Sequence, residues 1–147
     1  MSLAVMRDNG LQVEGVALAD LEARFGAPCH VHSRAALHTA YMAYRDALAA
    51  HGLADRSLIC DAVKANSNLA ILDVFARLGA GFDIVSGGEL ARVLAAGGSP
   101  EKNVFSGVGK SRAEMRAAEV MVDGDAMHLI RGREDVAGRF ALESGLP

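Results

Sequence analysis

The sequence predicts an α/β fold in which consecutive βα units carry a parallel sheet. Between residues 57 and 109, short apolar runs ("SLICDAV", "GFDIV", "NVFSG") alternate with longer segments of helical pattern, "NLAILDVFARLG" and "GGELARVLAAGG". Short strands separated by helices are typical of parallel βα architecture. The length, 147 residues, suits one domain with one hydrophobic core.

Local capping signals place the starts and ends of the predicted helices. Ser86 precedes Glu89 by three residues, and Ser111 precedes Glu114 by the same spacing, so each pair predicts a capping box at a helix start. Gly97 follows the first of these helical segments, where a glycine commonly ends a helix. The helices that flank the predicted sheet therefore have defined boundaries.

The segments on either side of the βα region have other patterns. "APCHVHS" predicts a strand and "RAALHTAYMAYRDALAAHG" a long amphipathic helix, which together make one more βα unit. "LQVEGV" near the start and "AEVMVDGDAMHLIR" near the end predict antiparallel strands, the latter as a hairpin that turns at Asp123-Gly124. "REDVAGRFALES" predicts a closing helix.

Composition excludes several classes of partner and site. The net charge is −3 with acidic and basic residues interspersed, which predicts no binding to nucleic acid or to a membrane surface. The start, "MSLAVMRDNG", lacks an export signal, so we expect a cytoplasmic protein. Cys29 and Cys60 form no ligand pair, and His30 and His32 share a strand face without a third ligand, so we predict no metal site.

The stretch "CDAVKANSN" ends an apolar run with a lysine, Lys64. If the run is a strand, Leu58, Cys60, Ala62 and Lys64 share one face, and the lysine has small or apolar neighbours. A desolvated lysine loses its proton more readily, and a neutral amine can form a Schiff base with an aldehyde. Asp83 follows at the end of the next strand, where its carboxylate is placed to orient or neutralise a cation.

Simpler interpretations of the same residues stay open. Lys64 is also typical of a lysine that extends to solvent at a strand end, Glu89 of a capping residue, and Asp83 of a surface group near a turn. Residues 106–111, "SGVGKS", resemble part of a phosphate-binding loop, which would make the protein a nucleotide binder. Val104 stands where such a loop requires its first glycine, which argues against nucleotide binding.

The stretch "AVKANSNLAILDVFARLGAGFDIVSGGELARVLAAGGSPEKNVFSGVGKS" resembles the N-terminal barrel segment of bacterial diaminopimelate decarboxylases, with the similarity running over residues 13–116. These are pyridoxal-phosphate enzymes of the alanine-racemase-like barrel class. The resemblance implies a partial (β/α)8 barrel of about three to four βα units. It also implies that Lys64 holds the cofactor as a Schiff base and is the catalytic residue, with Asp83 and Glu89 beside the cofactor.

The resemblance further implies a carboxy-lyase that converts meso-diaminopimelate to lysine in lysine biosynthesis. "RAAEVMVDGDAMHLIRGREDVAGRFALESGLP" is similar to the extreme C-terminus of the same family, so the chain is interpreted as an internally deleted form joined near residues 116–118. We expect one compact unit of three segments. They are a β-domain-derived segment (1–32), a partial pyridoxal-phosphate-binding barrel (33–116), and a C-terminal hairpin and helix (117–147).

Several parts of the family pattern have no match in this sequence. These are the glycine-rich phosphate loops, the histidine that stacks on the pyridine ring, the glutamate that pairs with the ring nitrogen, and the C-E-S-G-D segment. We therefore expect impaired activity, with a non-catalytic remnant or a weak pyridoxal-phosphate-binding protein as the alternative. Uncovered sheet edges predict self-association, as a homo-oligomer or otherwise. Asp61, where the family usually has an aromatic residue, is predicted to face the helices without a partner.

Overall fold

The computed structural model describes residues 4–8, 10–107, 109, 111–121 and 128–129. The chain divides into two compact units, with the boundary between Ala43 and Tyr44. None of the helices in these ranges is both long and apolar enough to cross a lipid bilayer.

The first unit contains a small antiparallel sheet of three strands in the order β1-β2-β3. Its elements are β1 (Val5–Arg7), β2 (Gly10–Val13), β3 (Val16–Ala17) and α1 (Leu18–Phe25), and α2 (Arg34–Ala50) begins in it. The antiparallel strands predicted from "LQVEGV" and the long helix predicted after residue 33 are confirmed. The strand predicted from "APCHVHS" is wrong, because residues 27–33 form no strand and pair with neither sheet of the described residues.

The start of α2 is held by the turn that joins β2 to β3. The Glu14 carboxylate accepts hydrogen bonds from the Ser33 hydroxyl and, at 2.8 Å, from the Ala35 N–H. The Ser33 hydroxyl oxygen in turn accepts the Ala36 N–H at 2.9 Å. The hydrogen bond from Ser33 is the largest cause of the lowered pKa of Glu14, and the bond from Ala35 is the next. The first N–H groups of a helix have no acceptor inside the helix. Here the side chains of Glu14 and Ser33 provide the acceptors.

The second unit is built on a parallel sheet with the strand order β4-β5-β6-β7. Its strands are β4 (Cys60–Ala62), β5 (Gly81–Ile84), β6 (Asn103–Phe105) and β7 (His128–Leu129), and its helices are α3 (Leu69–Arg77), α4 (Gly87–Ala95) and α5 (Arg112–Met121). Short 3-10 turns cover Ala54–Arg56, Val63–Ala65 and Pro100–Lys102. The predicted α/β fold is confirmed, with three consecutive βα units.

One face of this sheet forms the core together with α3 and α4. The buried cluster comprises Val63, Leu72, Phe82, Ile84, Leu90, Val93, Ala96 and Phe105. Phe82, Ile84 and Phe105 are fully buried, so alternate residues of β5 and β6 point into the helical layer. Because Phe82 and Ile84 occupy the helix-facing side of β5, Gly81 and Asp83 lie on its opposite face.

The capping box predicted at Ser111–Glu114 is confirmed and links two helices, whereas at Ser86 only the hydroxyl half of the predicted box is formed. The Ser86 hydroxyl oxygen accepts the Glu89 N–H at 3.2 Å, which starts α4. Glu114 completes a reciprocal box with Ser111 and also accepts the Gly87 N–H at 3.2 Å. The backbone hydrogen bond from Ser111 is the largest cause of the lowered pKa of Glu114, and the bond from Gly87 is the next. The same carboxylate therefore fixes the starts of α4 and α5 at one edge of the sheet.

The C-terminal part of the second unit differs from the prediction. Residues 118–121, predicted as a strand, belong to α5, and β7 pairs with β6 in parallel register. The antiparallel prediction is wrong there because the capping box at Ser111 starts a helix that continues into the apolar run. The turn predicted at Asp123-Gly124 and the closing helix predicted from "REDVAGRFALES" lie outside the described residues.

Candidate functional site

Lys64 lies at the carboxyl end of the parallel sheet. It belongs to the 3-10 turn Val63–Ala65, which directly follows β4. Val63 is fully buried in the core, so the turn is anchored to the sheet. The predicted strand thus ends two residues before the lysine, and the turn, not strand alternation, sets the direction of its side chain.

Lys64 and Asp83 form an ion pair across neighbouring strands. Lys64 Nζ donates to Asp83 Oδ2 at 2.9 Å, and the two side chains are 55% and 28% exposed. The predicted desolvation of Lys64 is therefore wrong, because more than half of the side chain faces solvent. The predicted placement of Asp83 beside a cation is confirmed. An ion pair this exposed adds at most about 1 kcal/mol to stability, so its main effect is to orient the amine.

A third polar side chain, Ser106, reaches the same carboxylate. Its hydroxyl donates to Asp83 Oδ1, while its backbone N–H donates to the Ile84 carbonyl at 2.8 Å. Ser106 directly follows β6, so Lys64, Asp83 and Ser106 come from the carboxyl ends of three adjacent strands. Sequence reasoning missed Ser106, although its position after the run "NVF" placed it at the same edge.

The loop that follows Lys64 is held on both sides. Asn68 caps α3, with its side-chain oxygen accepting the Ala70 N–H at 2.9 Å. Arg92, on α4, donates from Nε to the Ser67 carbonyl at 2.8 Å. The residues after the lysine are thus tied to two helices, which restricts the path of the turn that carries the amine.

Glu89, the third residue predicted near the site, is used by its own helix. Its carboxylate accepts the Val85 N–H at 2.7 Å, and its N–H is bonded to Ser86. The carboxylate thus holds the backbone one residue before the N-cap Ser86, instead of the Ser86 N–H that the predicted capping box requires. The structure brings Lys64 and Asp83 together but does not join Glu89 to either side chain. A place for Glu89 beside a cofactor stays a prediction.

Asp61 lies on the helix-facing side of β4. It is in register with Phe82, whose side chain is fully buried, and Phe82 is in register with Asn103 on β6. Asp61 is half-buried, its carboxylate has no partner in the part of the chain that the structure describes, and burial raises its pKa. Both amide atoms of the buried Asn103 side chain also have no hydrogen-bond partner within that part. The predicted orientation of Asp61 is confirmed, and the row holds two polar groups that cost stability.

Replacing Asp61 by asparagine is expected to raise the melting temperature at pH 7. Because burial raises the folded-state pKa, the folded protein loses stability as the pH rises from about 3.8, the ordinary pKa of the group, through the raised value. Asparagine does not titrate, so the gain over wild type should shrink as the pH falls and vanish below about pH 3.8. Thermal unfolding between pH 3 and 7 measures this difference, with the exposed Asp55→Asn as control. A gain that does not depend on pH would contradict the assignment.

The remaining candidate sites of the sequence have little support in the structure. The rings of His30 and His32 stack with centroids 6.4 Å apart, and no group of three potential metal ligands occurs among the described residues. In the "SGVGKS" segment, Val108 and Lys110 lie outside the described residues. The site that the structure assembles is therefore the group Lys64, Asp83 and Ser106.

The position of Lys64 in the sheet fits a binding site. A primary amine, accessible to solvent and paired with a carboxylate, lies at the carboxyl edge of a parallel sheet, where α/β proteins bind small molecules and cofactors. Residues 34–128 match the family model described as pyridoxal-dependent decarboxylase, pyridoxal binding domain. The chain belongs to this family, whose cofactor is pyridoxal phosphate.

Individual relatives agree with the family match. The chain is similar to a diaminopimelate decarboxylase of Pseudomonas aeruginosa, with 62% identity over 112 residues that cover 76% of this chain and 26% of the relative. It is 55% identical over 111 residues to a diaminopimelate decarboxylase of Vibrio cholerae, which covers 76% of this chain and 26% of the relative. The chain thus spans about a quarter of the length of the curated relatives it matches.

Solved structures share the fold. The diaminopimelate decarboxylase of M. jannaschii in complex with L-lysine matches with a TM-score of 0.80 and 27% identity, over 98% of this chain and 34% of the other. The diaminopimelate decarboxylase of Helicobacter pylori complexed with L-lysine matches with a TM-score of 0.62 and 34% identity, over 85% of this chain and 32% of the other. The predicted family resemblance is confirmed.

Proposed function

We propose that this chain binds pyridoxal phosphate through Lys64 and forms the lysine-bearing part of a diaminopimelate decarboxylase site. The observation that carries the proposal is the ion pair between Lys64 and Asp83, which holds a solvent-accessible amine at the carboxyl edge of the sheet. Similarity to the decarboxylase of Pseudomonas aeruginosa supports the same assignment. We further propose that the second unit is a partial (β/α)8 barrel and that residues 1–32 derive from the family's β domain.

The residues present suit the reactive end of the cofactor. An aldehyde needs a primary amine that it can reach, and the Lys64 side chain is 55% exposed. An ammonium group has no lone pair, so Lys64 must first release a proton from Nζ. Asp83 Oδ2, at 2.9 Å, keeps the amine directed at the edge. Asp83 is therefore proposed as a supporting residue, and Glu89 as a more distant one.

The proposed reaction of the complete site is the decarboxylation of meso-diaminopimelate to lysine. When bound, pyridoxal phosphate supplies the electron sink that the loss of carbon dioxide requires. The contribution of this chain is to bind and orient, through Lys64 and Asp83. The sequence has no match to the family's ring-stacking histidine or phosphate loops, so we expect slow turnover from these 147 residues alone. Self-association through the outer edge of β4 is proposed as well.

Reductive trapping tests the proposal. The purified protein is incubated with pyridoxal phosphate, reduced with borohydride, digested and analysed by mass spectrometry. The label is expected on Lys64 in preference to Lys102 and Lys110, the other two lysines of the sequence. Release of carbon dioxide from meso-diaminopimelate is then assayed. A label on Lys64 without release of carbon dioxide would show that the protein binds the cofactor but does not catalyse the decarboxylation. Equal labelling of all three lysines would refute the assignment of Lys64.

A further inference from the structure

We infer that Ser106 is a positioning residue, which holds the Asp83 carboxylate in the orientation that directs Lys64. Its effect on cofactor capture rests on the proposed function. Its effect on the amine itself does not rest on that function, because the bonds from Ser106 to Asp83 and from Asp83 to Lys64 involve no cofactor. Within the described part of the chain the Ser106 hydroxyl bonds to Asp83 and not to Lys64, so it acts through Asp83.

The two oxygens of the Asp83 carboxylate have separate partners. Oδ1 accepts the Ser106 hydroxyl, and Oδ2 accepts Lys64 Nζ at 2.9 Å. A carboxylate bonded at one oxygen only can rotate about its terminal bond, since that torsion is broad. Bonds at both oxygens, from opposite neighbouring strands, fix the plane of the group. The position of the lysine amine is thereby coupled to the hydroxyl of a residue two strands away.

Ser106 is itself held firmly enough to act in this way. Its N–H donates to the Ile84 carbonyl at 2.8 Å, and the preceding Phe105 is fully buried. Gly107, which follows, has φ of +88°, and a Cβ there would lie 3.3 Å from Val85. The backbone on both sides of Ser106 is therefore fixed by the core and by close packing. Its side chain is partly buried, which favours the hydrogen bond to Asp83 over bonds to water.

Loss of this hydroxyl has two expected consequences of opposite sign. With Oδ1 unoccupied, the carboxylate rotates more freely and the ion pair with Lys64 loosens. When Lys64 is paired with Asp83 for less of the time, its amine reacts faster with a small reagent that needs no particular orientation. The same amine captures pyridoxal phosphate less well, because it is no longer directed at the edge of the sheet. In an unfolded protein Lys64 and Lys102 would both react faster, whereas a positioning role of Ser106 predicts a change at Lys64 alone.

The first test uses the protein without cofactor. Lys64 is methylated with formaldehyde and cyanoborohydride, and the rate is read from the mass of its peptide. Loosening of the exposed Lys64–Asp83 pair is expected to make Ser106→Ala react about twofold to fivefold faster than wild type. Ser106→Thr, which keeps the hydroxyl, should restore the wild-type rate. Ser57→Ala, at an exposed serine before β4, is the matched control and should leave the rate unchanged.

The second test adds pyridoxal phosphate to the same variants and follows its absorbance. Ser106→Ala is expected to need about threefold to tenfold more cofactor for half saturation, with Ser106→Thr again close to wild type. Equal methylation rates in Ser106→Ala and wild type would overturn the inference, as would failure of Ser106→Thr to restore the rate while it stays folded by circular dichroism. A faster methylation of Ser106→Ala, without cofactor binding by wild type, would support the inference and refute the proposed function.

Discussion

Replacement of Lys64 by alanine is expected to abolish the absorbance change that pyridoxal phosphate produces with the wild-type protein. Lys64 is the amine that the structure places at the carboxyl edge of the parallel sheet, with Asp83 at 2.9 Å. Without a primary amine there, the aldehyde has no partner at this site. The measurement is a spectrophotometric titration of both proteins, followed by borohydride reduction to record the fraction that carries the label.

Lys102→Ala provides the matched control for this experiment. Lys102 belongs to the same unit, but its Nζ donates to the Gly79 carbonyl at 3.0 Å, before β5 begins. Its removal should leave the absorbance change intact. A change of equal size in Lys64→Ala and wild type would show that the aldehyde reacts elsewhere, and the proposed function would then be wrong.

A Gly81→Ala substitution is expected to destabilise the second unit severely. A Cβ at Gly81 would lie 2.3 Å from the Lys102 carbonyl oxygen and 2.8 Å from Cys60 Sγ. Backbone of the neighbouring segment must move to admit it, and β5 lies inside the sheet, between β4 and β6. Overpacking of this kind costs up to about 3 kcal/mol, which is a large share of the stability of a small domain.

Urea unfolding of Gly81→Ala measures that cost, and Gly88→Ala is its control. Gly88 lies in the first turn of α4, where the nearest atom to an added Cβ is Ser86 Oγ at 3.9 Å. Alanine favours helix more than glycine does, so the control should be neutral or slightly more stable than wild type. Equal unfolding midpoints for the two variants would contradict the steric argument at Gly81.

Local signals in the sequence correctly predicted the βα units between residues 57 and 109 and the starts of α4 and α5. The pairs Ser86–Glu89 and Ser111–Glu114 form their capping bonds within a few residues, so no tertiary contact is needed to read them. The orientation of Asp61 followed equally well from strand alternation. The family of the chain was also predicted, from the stretch around Lys64.

Features that depend on distant parts of the chain were predicted less well. Lys64 was expected to be desolvated, but its exposure depends on what covers the sheet edge, which no local pattern reveals. Ser106 was missed because its partner, Asp83, is separated from it by a whole βα unit. Residues 118–121 have strand-like composition, yet they continue a helix that starts at a capping box upstream. For Lys64 and Ser106, a contact outside the local window decided the outcome.

The strand order of the second unit has a consequence for how the unit folds. Since β4, β5 and β6 are neighbours in space in the same order as along the chain, each strand can pair with one already formed. Pairing between consecutive βα units closes the shortest loops that parallel strands allow, because each crossover must return the chain to the same end of the sheet. On a ribosome, Lys64 and Asp83 can therefore meet as soon as β5 has emerged, before the remainder of the chain is synthesised. Ser106 would complete the group one unit later.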